Sequence, residues 1–315
     1  MRTLRGRGAA ATGLDKIAAP FTNAMGSIAD RAFVRRHMAE VRTVLHTATL
    51  HKPHVGTHDR EAFIETNVRG TLILLEEAVA AGVEAFVFTS TTSAFGDALV
   101  PPPGQPAAWI TEDVPAIPKN IYGATKAAAE DLCQLFHRNE GLPCVVLRTS
   151  RFFPEADDSE AVRAAFVADN AKMNEFLFRR VDIEDVVSAH LAAAEQAPRL
   201  GFGKYIVSAT TPFTPDDLAA LRDDAPSVLL ARAPEYAAEY QRRGWLMFPG
   251  LDRVYVNAKA RRELDWRPQW DFPRLVRQLR GDEPLGSGLA RLVGAKGYHE
   301  QAFADGPYPV EPARR

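Results

Sequence analysis

Ala85-Phe-Val-Phe-Thr-Ser-Thr-Thr-Ser-Ala-Phe-Gly96 decides the fold. Four apolar residues without polar alternation predict a strand over 85–90 buried on both faces, as in a parallel sheet. The hydroxyl residues that follow then stand at the carboxyl end of that strand, where open α/β sheets bind ligands.

Downstream comes Tyr122-Gly-Ala-Thr-Lys126, a phenol and an ammonium four residues apart on a predicted helix over 121–140. That spacing puts both side chains on one helix face. An ammonium beside a phenol favours the phenolate, so the pair is predicted to lower the Tyr122 pKa toward the range useful for proton transfer. Upstream, Thr43-Val-Leu-His-Thr-Ala-Thr49 contains a short buried strand ending in small residues, and Asn67-Val-Arg-Gly-Thr71 opens a long apolar-periodic helix to Ala81. With strands at 9–15 and 144–149 and a helix at 30–40, the wiring alternates β and α, the pattern of a doubly wound parallel sheet.

This order of strand, helix, hydroxyl cluster and Tyr-x-x-x-Lys resembles the extended short-chain dehydrogenase/reductase family of nucleotide-sugar epimerases and dehydratases. The resemblance implies a Rossmann-like α/β fold with a smaller C-terminal substrate lobe. Residues 1–150 would form the dinucleotide-binding domain and 151–315 the substrate lobe, interleaved with returns to the sheet and with a loosely packed tail from about 281. In the lobe, helices are expected at 159–176, 184–196, 214–222 and 233–243 and a strand at 204–208, closed by a helix and an aromatic-x-Pro turn within 257–268. The proline-rich interval 101–118 reads as a loop toward the site.

The resemblance also assigns roles. Thr91 takes the catalytic hydroxyl position, Tyr122 the general acid/base, and Lys126 the residue that binds the nicotinamide ribose and tunes the phenol. Asp15 would accept the adenosine ribose hydroxyls and repel a 2′-phosphate, favouring NAD over NADP. Ser27 and Ile28 match the adenine-contacting pair, and Thr47, Ala48 and Thr49 the loop under the cofactor. Asn67 matches the asparagine that opens a helix, where an N-terminal cap is the alternative reading. Thr92, Arg151, Arg179 and Arg180 are the substrate-side candidates, although strict alignment puts Phe178 where relatives carry a diphosphate-binding arginine.

The glycine-rich phosphate loop is not where this fold expects it. Gly6-Arg-Gly8-Ala-Ala-Ala11 has the spelling G-x-G-x-x-A but runs toward a strand instead of a helix, so it is read as a decoy. If Asp15 ends the second strand, the fingerprint is expected about 20 residues earlier, before Met1. Residues 2–8 then read as the end of the first helix and its turn, making the fold N-terminally truncated. A start site set inside a longer protein and a relative that has lost firm dinucleotide binding both account for this.

Composition bounds the rest. At 315 residues, 46% hydrophobic, the chain can bury a large core, and a net charge of -2 gives no electrostatic reason for a nucleic acid or membrane partner. No apolar run reaches the roughly 18 residues that span a bilayer, so a cytoplasmic location is the default expectation. Cys133 and Cys144 lie in apolar segments and read as buried free thiols. His51, His54 and His58 lack cysteine or carboxylate partners at zinc spacing, which predicts a solvated loop and no metal.

The expected activity is NAD-dependent epimerisation or oxidation of a secondary alcohol on a small, carbohydrate-like substrate; a homodimer stays open. A 4,6-dehydratase is disfavoured, because Thr92 and Ser93 stand where such relatives carry an Asp-Glu pair. The alternative is a non-catalytic scaffold or metabolite sensor on the same fold.

Overall fold

The computed structural model describes residues 1–295 and Phe303. Its strands are β1 (Leu14–Asp15), β2 (Ala24–Met25), β3 (Thr43–His46), β4 (Ala85–Thr91), β5 (Ala108–Ile110), β6 (Cys144–Thr149), β7 (Phe202–Val207) and β8 (Arg253–Tyr255). The main sheet is all parallel, in the order β3-β4-β6-β7.

Alternation along these strands feeds two cores. Phe86, Phe88, Cys144 and Val146 point to one face, where they meet the helices Arg31–Met38, Gly70–Ala80 and Ile121–Glu140. Ala85, Val87, Val145 and Leu147 point to the other, against the helix Ile183–Leu200 and Trp266. Burial on both faces is why these strands read as unbroken apolar runs. A third core, built around Phe176, Leu221, Trp270 and Phe272, fills the C-terminal half and includes Ala107 from the first half.

Several expectations change in detail. The strand over 9–15 shrinks to β1, which pairs only with β2 in a separate two-stranded parallel sheet. Its exposed alanines bury too little apolar surface to hold more. The interval 101–118 is not all loop, because β5 lies within it and pairs in parallel with β8. The stretch 159–176 splits into Glu160–Ala165 and Ala168–Phe176. A helix at Ala225–Arg232 escaped the sequence reading because of its proline, yet proline is tolerated in a first turn, here under the Asp224 cap.

Asn67 does not open a helix. Asp59 caps the helix that begins at Arg60, and Asn67 lies buried further along, in the wider turn Ile64–Arg69. Within the stretch expected to pack loosely, Ser287 is buried and hydrogen-bonded to Asp182, and Gly288–Val293 is helical; residues 296–302 and 304–315 of that expected tail lie outside the described residues. Among the described residues, no helix is long and apolar enough to cross a membrane.

Candidate active site

Three residues spaced by four on the helix Ile121–Glu140 meet three consecutive residues at the end of β4. The Tyr122 phenol and the Thr91 hydroxyl line the same cavity, and the hydroxyl acts to lower the pKa of the phenol. The Lys126 ammonium donates to the Thr89 carbonyl oxygen at 2.6 Å, and the Ser90 hydroxyl donates to the Glu130 carboxylate at 2.6 Å. The 3.6-residue repeat makes this face continuous. Asn120 fixes where it starts by accepting from the Gly123 N–H at 3.1 Å.

Burial sets the electrostatics. Lys126 is almost fully enclosed, with Nζ 3.9 Å from the Phe88 ring centroid, and loss of water pulls its pKa down to about 7 against the opposing pull of Glu130. Tyr122 is pushed up to about 12 by burial, with the neighbouring Thr91 hydroxyl acting the other way. This corrects the expectation that the ammonium lowers the phenol. The lysine is turned toward the Thr89 carbonyl, and desolvation dominates.

Thr91, Thr92, Tyr122, Arg151 and Arg179 all line one cavity of about 330 Å³. The arginines are committed to carboxylates. Arg179 binds Asp157 at 2.7 Å and Glu175 at 2.6 Å, and Arg151 binds Asp157 at 3.2 Å. Arg180 is buried away from the cavity lining, with Nε 2.6 Å from Glu175 and Nη1 on the Phe153 carbonyl oxygen. Three cations around it hold the Glu175 carboxyl far below the usual range.

The other expected cofactor residues lie after the carboxyl ends of β1, β2 and β3. Asp15 is exposed and accepts from the Ile17 N–H at 3.1 Å. Ser27 accepts from Ala29 N–H at 3.1 Å, while Ile28 packs so tightly on Gly70 that a Cβ there would stand 2.7 Å from it. Thr47 is exposed; Ala48 and Thr49 are half-buried. Asn67 clamps this loop, its Oδ1 accepting from Leu50 N–H at 2.8 Å and from Thr49 Oγ1 at 3.0 Å, its Nδ2 donating to the Leu50 carbonyl at 3.0 Å.

Sequence reasoning missed other cavity residues. His51 is not in a solvated loop; it lines the cavity, its ring centroid 5.3 Å from that of Tyr122. Glu155 and Arg253 also line it. The Arg253 and Arg179 Nε–H groups are buried without a hydrogen-bond acceptor, the unsatisfied state that an anionic ligand would relieve. The signal available in sequence was only that these residues flank strand ends.

The side chains present fit a nicotinamide dinucleotide at its two ends. A phenol and lysine beside a cavity suit the nicotinamide ribose, and the exposed Asp15 carboxylate suits ribose hydroxyls. Among the described residues no glycine-rich turn leads from a strand into a helix N-terminus, and Gly6 and Gly8 lie at the end of a helix.

The family model for the NAD dependent epimerase/dehydratase family matches residues 1–206. A dTDP-glucose 4,6-dehydratase of Streptomyces antibioticus is 30% identical over 268 residues, covering 78% of this chain and 71% of the relative. A UDP-glucose 4-epimerase of Rhizobium meliloti (strain 1021) is 36% identical over 125 residues, 39% of this chain, which spans only 36% of that relative's length. Among solved structures, a short-chain dehydrogenase/reductase superfamily protein from Agrobacterium tumefaciens with bound NAD superposes with a TM-score of 0.61 at 24% identity, covering 89% of this chain and 92% of that one, a likeness of fold.

Proposed function

Because the chain belongs to the NAD-dependent epimerase/dehydratase family, we propose that it oxidises a secondary hydroxyl of a nucleotide-sugar-like substrate at a site of Thr91, Tyr122 and Lys126. The observation that carries this reading is that Thr91 and Tyr122 line one cavity, with Lys126 one helical turn behind.

NAD, when bound, supplies the acceptor for the hydride of the carbinol carbon. Thr91 orients the substrate hydroxyl, and Tyr122 takes its proton and later gives it back. With its pKa near 12 the phenol is protonated at neutral pH, ready as the acid. To serve as the base it needs a cation close by, which Lys126 supplies by leaving the Thr89 carbonyl. Reduction of the ketone on its opposite face would make the enzyme an epimerase; release of the ketone would make it a dehydrogenase. Asp15 favours NAD over NADP, and the acceptor-free Nε–H groups of Arg179 and Arg253 are the donors offered to the substrate's diphosphate. Arg151 supports that subsite from its contact with Asp157, and Thr92 is available to a sugar hydroxyl. Arg180 holds the lobe together through Glu175.

The test is calorimetry with NAD and NADP, followed by turnover of UDP-glucose, UDP-galactose and dTDP-glucose. Tyr122→Phe is expected to keep its circular dichroism and lose about 10²–10⁴ in rate. Undiminished turnover in that variant overturns the mechanism. A second reading is a scaffold or sensor without catalysis on the same fold. It predicts no calorimetric response to NAD.

A further inference from the structure

The cavity holds a titratable side chain that this mechanism does not use. His51 is presented by a pinned backbone. Leu50, before it, is bonded at both N–H and carbonyl by Asn67, and the His51 N–H itself donates to His54 Nδ1 at 2.9 Å. Pro53 is buried beneath the turn Lys52–His54. The imidazole stands between two rings, 5.3 Å from the centroid of Tyr122 and 5.3 Å, edge on, from that of Phe153. It is therefore held within one sugar ring's reach of the Tyr122–Thr91 pair.

We propose that His51 is a second proton-transfer residue of this site, acting on a carbon–hydrogen bond next to a carbonyl of the bound sugar. An imidazole nitrogen takes the proton, and the C–H electron pair becomes the C=C bond of an enolate. The charge on the enolate oxygen falls to the Thr91 and Tyr122 hydroxyls, which donate to it. Protonation of the enolate from the other face by water inverts that carbon, and the imidazolium returns its proton to the hydroxide so formed. Delivery to a hydroxyl on the next carbon breaks its C–O bond, releases water and leaves an unsaturated ketone. Neither outcome needs an oxidant once the carbonyl is present. Burial, then the cationic neighbours His54, Lys126 and Lys52, hold the His51 pKa down to about 3, so the ring is neutral at physiological pH, and its basicity must be raised by the negative charge that builds on the enolate as it takes the proton.

His51 thus supplies an acid/base function that Thr92 and Ser93, as alcohols, cannot. The other titratable groups are less suited. Asp158 is ion-paired to Lys52 and Arg151, and Glu155, whose Oε2 is buried without a donor, is the rival base that a control must address. The inference rests on the reading of this cavity as a sugar site.

The experiment incubates the full chain with dTDP-4-keto-6-deoxyglucose in deuterium oxide and follows loss of the hydrogens flanking the ketone by proton NMR, with probe binding measured by calorimetry. Wild type is expected to exchange faster than buffer. His51→Asn is expected to bind the probe and exchange about 10²–10⁴-fold more slowly, and added imidazole to restore exchange to His51→Ala, a rescue that a structural role would not give. Probe binding without exchange in wild type overturns this inference and leaves the oxidoreductase reading standing. Exchange that survives His51→Asn and is lost in Glu155→Gln assigns the base to the carboxylate and also overturns it. Absence of probe binding overturns the sugar-site reading and this inference with it.

Discussion

Lys126 is the residue whose chemistry and stability are most directly opposed. Its folded pKa near 7 lies below the about 10.4 of a free lysine. Between those values the unfolded chain holds the extra proton, so wild-type stability rises with pH across the window, and the full penalty is present below about pH 7. Tyr122 has the opposite sign, for its raised value makes stability fall from about pH 10 to 12. Lys126→Met is therefore expected to stabilise the protein, by up to about 4–5 kcal/mol at pH 6, a gain that fades toward pH 10. Urea denaturation at the two pH values measures it, and a pH-independent difference would show that the lysine is not desolvated. Tyr122 and Lys126 were legible as a pair because helix periodicity puts them on one face, and Thr91 through the family resemblance. His51 and Arg253 were not, because no periodicity governs a loop clamped by Asn67 or the three-residue strand β8.

At the scale of elements, the join between β4, β6 and the helix Ile121–Glu140 is an ionic one. Glu130, fully buried, accepts from Ser90 and from Arg148 at 2.7 Å and sits 3.1 Å from Lys204. Glu130→Ala strands the Arg148 guanidinium, also buried, and is expected to cost about 3–5 kcal/mol in chemical denaturation. Glu130→Gln, which keeps an acceptor for Ser90, should cost less. A loss under 1 kcal/mol for the alanine variant would mean that the pair is balanced by its own desolvation. Gly96 fixes the turn out of β4. Its φ of 54° is the left-handed region, and a Cβ would fall 1.8 Å from the Ile117 carbonyl oxygen. The long elements were legible: the helix at 121–140 and the strand at 144–149 have the expected limits, since apolar runs and caps mark both ends. The pairs β1–β2 and β5–β8 were not, because two or three residues carry no period and their partners are chosen by packing.

For the molecule as a whole, the alternating strand and helix order fixed the two-faced sheet in advance, whereas the path of the C-terminal chain depends on contacts far apart in sequence. Asp182 shows how such a contact works. One carboxylate caps the helix Ile183–Leu200 through Glu184 N–H at 2.8 Å and accepts from the Ser287 hydroxyl at 2.6 Å and N–H at 2.9 Å. The returning chain is held further by Gln278, which exchanges two hydrogen bonds with Gly286. Asp182→Ala strands the buried Ser287 donors, at about 1–3 kcal/mol, and removes a cap worth about 1 kcal/mol. Ser287→Ala removes only the hydroxyl bond and is expected to cost about 1 kcal/mol. The two substitutions share a partner, so the double variant should lose less than their sum. Hydrogen exchange adds the spatial test: in Asp182→Ala, faster exchange should appear both at the start of the helix Ile183–Leu200 and in residues 286–293. Acceleration at the helix alone would mean that Asp182 is a cap and that the C-terminal chain is held by Gln278 without it.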